Sequence, residues 1–205
     1  MIFIILFAFI FPANSADLLD DMYFVNNWEL LETIENKKIY QADCSIKNDR
    51  YIMIEEQLSG NDDYILDVIE SVENYNNVLS NKNIKTELLF SKADTSIALQ
   101  TISNVIPFTS DRKYIFKLYK HSENRIDWLL INNFDSSLLN AKEDSHILSF
   151  GAGSWEVRKK DNKKILIYRM YLDDEVNLPL MFIQKIRIKH AVDIFNDFLN
   201  FNQGE

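Results

Sequence analysis

The sequence predicts an α+β fold in which a mostly antiparallel sheet is followed by one long helix. Two patterns predict it: runs of β-branched and aromatic residues separated by polar turns occupy most of the chain, and the last run has helical periodicity. A single helix of that length, arriving after so much sheet, needs a concave sheet surface on which to pack. We therefore expect a curved antiparallel sheet wrapped around a C-terminal helix, with a space between them that is either core or pocket.

Size and composition indicate one globular domain. The chain has 205 residues, of which 47% are hydrophobic and 26% are charged, so it can bury a sizeable core. Its net charge of −9 argues against nucleic acid as a partner and against electrostatic docking on anionic lipid. The sequence contains no glycine-rich phosphate loop, no HExxH and no CxxC. We therefore expect neither a cofactor nor a bound metal. We also expect a monomer.

The first residues have the pattern of a targeting segment. Residues 1–11 are wholly apolar, and the small residues of the following Pro-Ala-Asn-Ser-Ala run, 12–16, are suited to cleavage after Ser15 or Ala16. We expect a signal peptide over 1–16 and a single domain over 17–205, in a secreted or periplasmic protein. The apolar run has no preceding Lys or Arg, which leaves open an uncleaved membrane anchor or a misassigned start codon. It is too short to cross a bilayer as a helix.

The N-terminal half is predicted to hold a short helix, three strands and a second helix. An acidic run over 17–24 indicates one or two helical turns. Residues 59–63 form a loop and helix start, after which apolar residues recur at helical spacing as far as Leu79. Cys44 is the only cysteine, so no disulfide can form within the chain, and we expect a buried, inert thiol. The strands, joined by tight polar turns into a meander, are predicted over 28–34, 39–46 and 51–58.

Six further strands and the long helix complete the chain. The helix is predicted over 178–201, with one apolar side and one polar side. Arg187 projects from the middle of the apolar side. The strands are predicted over 84–90, 96–102, 113–120, 126–134, 147–158 and 164–172, with a hairpin turn at 161–163. The apolar side of the helix carries Leu180, Ile183, Ala191, Ile194, Phe195 and Phe198.

This order of elements resembles the helix-grip fold of the START (StAR-related lipid-transfer-like) domains, in the SRPBCC superfamily. Seven short segments carry the resemblance, in the family's order and at its spacing. Lys113 stands where the family has the Asp of an Arg-Asp pair, and Glu175-Val176-Asn177 replaces two glycines. The segments are Trp28-Glu29-Leu30, Lys38-Ile39-Tyr40, the helix over 63–75, the Pro-Phe run over 107–113, Gly153-Ser154-Trp155-Glu156-Val157, Leu172-Asp173-Asp174 and Leu178-Pro179-Leu180.

The resemblance implies a hydrophobic cavity between the sheet and the C-terminal helix. It implies a hydrophobic small molecule or lipid as the partner, bound without covalent chemistry, and it allows transient contact with a membrane. Two other functions stay open: a cyclase- or aromatase-like enzyme, with His190 or Arg187 as the nearest titratable group, and an envelope interaction protein whose groove is filled by its own side chains. The candidate ligand-binding residues are Ile183, Arg187, Ala191, Ile194 and Phe198 on the helix, and Arg112, Tyr114, Phe116, Trp155 and Arg169 on the strands.

Three arginines and three tryptophans have alternative roles. Arg187 either meets the polar end of a ligand or forms a structural ion pair. If the strand faces that carry Arg112 and Arg169 look inward, the cavity holds cations, although partnered buried arginines are usually structural. The tryptophans, Trp28, Trp128 and Trp155, either line a pocket or fill the core, and for at least two of them we expect the core.

Overall fold

The computed structural model describes residues 14–58, 64–103, 111–132, 146–173 and 179–201. The helices in these ranges are α1 (Ser15–Phe24), α2 (Ile65–Glu70), α3 (Tyr75–Val78) and α4 (Leu180–Leu199), with a 3-10 turn at Val72–Asn74. The strands are β1 (Glu29–Ile34), β2 (Lys37–Asp43), β3 (Arg50–Gln57), β4 (Ile84–Lys92), β5 (Thr95–Ile102), β6 (Arg112–Ser122), β7 (Arg125–Leu130), β8 (His146–Ile147), β9 (Gly151–Lys160) and β10 (Lys163–Leu172).

The strands form one curved sheet with α4 packed against it, which confirms the predicted α+β helix-grip architecture. The order across the sheet is β1-β2-β3-β10-β9-β7-β6-β5-β4, and each neighbouring pair is antiparallel. The short strand β8 pairs in parallel with the first residues of β6. Because β3 pairs with β10, the N-terminal meander and the last hairpin lie side by side, and β3 and β10 both contact α4.

The inner face of the sheet carries the larger core. Alternate residues of β2 to β7, β9 and β10 point to this face, where they meet the buried side of α4 and the two short helices. Ala191 and Phe195 of α4 are completely buried there, and Phe198 is nearly so. Their burial holds α4 against the sheet, because apolar area removed from water contributes roughly 25 cal/mol per Å².

The outer face of the sheet is covered in part by α1, which the sequence did not place. Leu18 and Met22 of α1 are fully buried against this face, together with Cys44, whose thiol is free. The helix begins at Ser15, two residues before the predicted start, because the Asn14 side chain accepts a hydrogen bond from the Asp17 backbone and Asp17 caps Asn14 in return. The sheet therefore lies between two helical layers.

The predicted second helix is wrong in one respect, since it is not continuous. Ser71 has φ −79° and ψ 69°, outside the helical region, and separates α2 from the 3-10 turn and α3. The Ser71 hydroxyl donates to the Asp67 carbonyl at 2.8 Å, so the side chain satisfies the end of α2. Apolar spacing alone does not detect this break, because the buried positions keep helical spacing across it.

The predicted strand over 147–158 is also wrong at its start. Its first residues leave the main ladder: Leu148 donates to the Lys113 carbonyl, and Asp173 donates to the Phe150 carbonyl. The continuous strand β9 begins only at Gly151. No helix in the described ranges is both long enough and apolar enough to cross a membrane.

Candidate functional site

A cavity of about 60 Å³ lies between α4, α3 and the inner face of the sheet. A single water needs roughly 10–15 Å³ measured in this way, so the space can hold several waters or a small ligand. Binding pockets for drug-sized molecules are usually about 300–1,000 Å³, and the cavity is well below that range. Its walls are Tyr75, Leu79, Gln100, Tyr114, Phe116, Trp128, Trp155, Tyr168, Ile194 and Phe198.

The floor of the cavity is a stack of aromatic rings on β9 and β10. Trp155 and Tyr168 are directly opposite one another across the two strands, and their rings stack with centroids 3.9 Å apart. Phe198 of α4 meets Trp155 edge-on at 5.3 Å. Such pairs add about 0.5–1.5 kcal/mol to the stability gained from burial. The stack therefore fixes the position of α4 above the floor.

Gly153 determines where Trp128 lies in the cavity wall. The two residues are opposite one another on β9 and β7, and a Cβ on Gly153 would lie 2.6 Å from the Trp128 indole nitrogen. Only a glycine leaves room for the indole to lie across the strand. From there Trp128 hydrogen-bonds to the Tyr168 phenol. The Gly-x-Trp run thus places two indoles in the site. Gly153 leaves room for the Trp128 indole, and Trp155 supplies its own.

The side wall carries a chain of polar side chains. Tyr114 donates a short hydrogen bond to the Gln100 side-chain oxygen, and the Gln100 amide donates to the Thr86 hydroxyl at 2.9 Å. All three residues are at least 90% buried. A buried amide and phenol supply hydrogen-bonding capacity in a cavity whose other walls are mostly apolar. The cavity therefore has an aromatic floor and one polar wall.

The other phenols of the cavity stay protonated at neutral pH. Burial raises the pKa of Tyr75 well above its ordinary value, and nearby phenols and Glu73 raise it further. Tyr75 donates to the Ile69 carbonyl at 2.6 Å, which ties the cavity roof to α2. Burial also raises the pKa of Tyr168. These groups can donate or accept hydrogen bonds, but they carry no charge.

Comparison with known proteins identifies the fold. No family model and no curated protein sequence matches the chain. Solved structures do: the STAR-related lipid transfer protein from Xanthomonas axonopodis has a TM-score of 0.68 at 12% identity, covering 84% of this chain and 97% of that one. Human STARD10 has a TM-score of 0.66 at 10% identity, covering 91% of this chain and 79% of that one. Human StAR-related lipid transfer protein 5 has a TM-score of 0.64 at 13% identity, covering 90% of this chain and 92% of that one. The chain has the START fold.

Within this START fold, five of the ten candidate ligand-binding residues line the cavity. Ala191 is completely buried nearby in the core, and Ile183 is half-buried on α4. Of the three tryptophans, Trp28 lies with the outer-face cluster and the other two are in the cavity wall, so more indoles reach the site than we expected. The five lining residues are Tyr114, Phe116, Trp155, Ile194 and Phe198.

Arg187 is buried and has a carboxylate partner. Its guanidinium donates to Asp49 at 2.6 Å and lies 5.3 Å from the centre of the Tyr171 ring. Asp49 belongs to the turn between β2 and β3, so the pair ties α4 to the N-terminal meander. Arg187 and Arg112 both line a second, smaller cavity of about 20 Å³, separate from the aromatic one.

Arg169 does not belong to the cavity, which corrects the prediction. On β10 the even-numbered Tyr168 and Met170 face inward, so Arg169 points to the outer face. There it donates to Glu156 at 2.8 Å and lies 4.9 Å from the centre of the Tyr23 ring of α1. Alternation separates the two faces of a strand, but it does not say which face meets the terminal helix.

Gln100, Tyr75 and Tyr168 are cavity residues that the sequence analysis did not single out. Gln100 offered a signal, because it alternates with Ala98 and Ile102, which are both buried. A polar residue on a buried strand face indicates either a hydrogen-bonded network or a site. The Pro-Phe run at 107–110 and Leu178 of the family segments lie outside the described residues. Within the described ranges, no cluster of His, Cys, Asp or Glu could hold a metal ion.

Proposed function

We propose that this protein binds a small hydrophobic ligand in the aromatic cavity beneath α4, without covalent chemistry. The observation that carries the proposal is the cavity itself: an aromatic floor beside the buried Gln100–Tyr114 pair. Apolar walls with a few placed polar groups are typical of small-molecule sites. The lipid-transfer names of the structurally similar proteins support a hydrophobic ligand.

The small cavity volume limits what can bind without movement. A ligand the size of a lipid needs α4 to shift away from the sheet. A short, planar or branched ligand with one hydroxyl or carbonyl group fits more readily, because that group can hydrogen-bond to the polar wall. The described lining residues offer three phenols, two indoles and an amide, with no carboxylate or amine. Binding therefore accounts for the site better than acid–base catalysis does.

Native mass spectrometry of the purified protein, followed by organic extraction, tests the proposal. We expect one or a few bound small molecules, released on denaturation. Ile194→Trp should lower their occupancy, because Ile194 is a half-buried cavity residue and an indole there fills the space. Ile186→Trp is the matched control, since Ile186 is also half-buried on α4 but lines only the smaller cavity.

Two outcomes would count against binding in this cavity. Equal occupancy in both tryptophan variants would place the ligand elsewhere. A protein that carries no ligand and is not stabilised by fatty acids, sterols or small aromatic alcohols in thermal unfolding would favour a filled interior, and with it an interaction protein.

A further inference from the structure

The tip of the β9–β10 hairpin is a cationic surface on an acidic protein. Of the 22 Lys and Arg residues in the chain, five lie in the seven residues 158–164, where Asp161 is the only acid. The chain as a whole has 31 acidic residues and a net charge of −9. Total charge, which argued against docking on anionic lipid, therefore conceals a strongly basic end. We call Arg158, Lys159, Lys160, Lys163 and Lys164 the basic tip.

The hairpin geometry brings these positive charges close together, which lowers the stability of the strand pair. Asp161 and Asn162 both have positive φ, so the turn is tight, and Lys160 lies directly opposite Lys163 while Lys159 lies opposite Lys164. Like charges directly opposite one another destabilise an antiparallel pair. Lysines often protect the exposed edges of sheets, but β9 and β10 are central strands. Edge protection therefore does not explain the basic tip.

Neighbouring acids leave much of this charge uncompensated. Arg158 forms a bidentate pair with Glu156. Within the described part of the chain, Lys159, Lys160 and Lys163 form no ion pair, and all three are exposed. On the adjacent hairpin, Lys120 and Arg125 add two more cations, which pair with Glu70 and Asp127. Three lysines of the basic tip are thus exposed beside a further set of paired cations.

We propose that the basic tip docks the protein on a membrane surface that carries anionic lipid head groups. Four of its five cations are lysines, which act as point charges toward many phosphates rather than as bidentate readers of one. The tip carries no aromatic side chain on which a nucleic-acid base could stack. The acidic remainder of the protein is repelled by the same surface, so only the tip can approach. Each lysine near an anionic leaflet raises the partition constant by about fivefold.

Vesicle flotation tests the proposal on protein without the apolar run 1–11, whose own affinity for lipid would mask that of the basic tip. The probes are vesicles of phosphatidylcholine alone and of phosphatidylcholine with phosphatidylglycerol, each at low and high salt. We expect binding only to the anionic vesicles, weakened by salt because the attraction is screened. The triple variant Lys159→Gln, Lys160→Gln, Lys163→Gln should bind at least about tenfold more weakly. Its melting temperature should be unchanged or raised, because the variant relieves the like-charge pairing.

A second triple variant, Lys85→Gln, Lys185→Gln, Lys189→Gln, removes the same charge from exposed positions on β4 and α4 and should bind as the wild type does. Three results would overturn the proposal: no preference for anionic vesicles, equal losses in both variants, or tighter binding to single-stranded DNA than to anionic vesicles. Because the test does not use the cavity, an empty cavity in mass spectrometry leaves its result unaffected.

Discussion

The Arg187–Asp49 pair explains why a charge can stand within the apolar side of α4. The Arg187 side chain is 6% exposed and that of Asp49 is 12% exposed, so both charges are largely removed from water. Such a pair contributes little net free energy compared with an apolar pair, but breaking it leaves one charge buried alone. The pair joins the terminal helix to a turn 138 residues earlier in the chain. Arg187 therefore acts in the fold as a tether.

Replacing one member of this pair separates the structural role from a ligand role. Arg187→Leu should lower the free energy of unfolding by about 2–4 kcal/mol, because the Asp49 carboxylate loses its partner. The same variant should retain the ligand occupancy of the wild type. Urea denaturation and native mass spectrometry give the two readouts. Adding Asp49→Asn should recover part of the loss, with a coupling energy of about 1–3 kcal/mol. If Arg187→Leu lost the bound ligand but kept the wild-type free energy of unfolding, Arg187 would instead be a ligand contact.

At the level of single elements, tight turns set the register of the hairpins. The turn between β4 and β5 contains two residues, Ala93 and Asp94, and Ala93 has φ 47°. The turn between β9 and β10 contains Asp161 and Asn162, with φ 50° and 60°. Asn and Asp tolerate the left-handed region, whereas alanine does not. Both turns therefore place residues in the left-handed region, and the steric cost is higher for Ala93 than for Asp161 and Asn162.

Ala93→Gly should stabilise the protein by about 0.5–1 kcal/mol, because glycine adopts this φ without a clash. Ala93 is exposed, so no packing is lost. The comparison is Asn162→Gly, which removes less strain and should change stability by only a few tenths of a kcal/mol. Urea unfolding of both variants measures the difference. A loss of stability in Ala93→Gly would show that the alanine is unstrained in this turn.

The elements could be predicted where the local pattern determines the structure. The strands and α4 followed from alternation and helical spacing, and Asp161 and Asn162 fell within a predicted turn. The break at Ser71 could not be predicted, because it depends on a side chain that bonds back to the preceding turn. The strand and helix periods predict which of Tyr114, Phe116, Trp155 and Phe198 share a face with other apolar residues. That these faces look into a cavity followed only from the resemblance to START domains.

At the scale of the whole molecule, the sheet separates an apolar face from a charged one. The inner face holds the aromatic cavity, and the outer face carries ion pairs beside α1, including Glu156 with Arg169 and Arg125 with Asp127. The guanidinium of Arg125 lies 3.5 Å from the centre of the Tyr23 ring. The sequence could not show this, because the placement of α1 on the outer face depends on contacts far apart in the chain. Arg169 was assigned to the cavity for that reason.

The charged outer face makes global stability depend on pH in a predictable direction. Burial raises the pKa of the Glu156 carboxyl, but the hydrogen bonds and charges of Arg169 and Arg158 outweigh it, and the net pKa is below 4.5. The folded state therefore resists protonation where the unfolded state accepts it, and stability falls as the pH drops below about 4.5. Asp21 acts in the same sense: its pKa is also lowered, because bonds from Ser45 and Tyr51 outweigh burial.

Asp127 opposes this trend. Burial raises the pKa of its carboxyl above 3.8 despite the bidentate pair with Arg125 and the charge of His121. On acidification, the folded state binds this proton at a higher pH than the unfolded state does. The contribution of Asp127 to stability therefore falls as the pH rises from about 3.8 through its raised pKa. The measured dependence of stability on pH is the sum of the contributions of all these carboxyl groups. A single substitution is needed to separate one contribution from the others.

Glu156→Gln isolates the contribution of the ion pair with Arg169. At neutral pH the variant should be less stable than the wild type by about 1–2 kcal/mol, because charge-assisted hydrogen bonds are lost. That difference should shrink as the pH falls below about 4.5, since the wild-type carboxylate is then being protonated as well. Urea denaturation across this range measures both effects, with Glu87→Gln, an exposed residue of β4, as the control that keeps the wild-type slope. A difference that stays constant down to acid pH would mean that the carboxylate charge of Glu156 contributes nothing to holding Arg169 beneath α1.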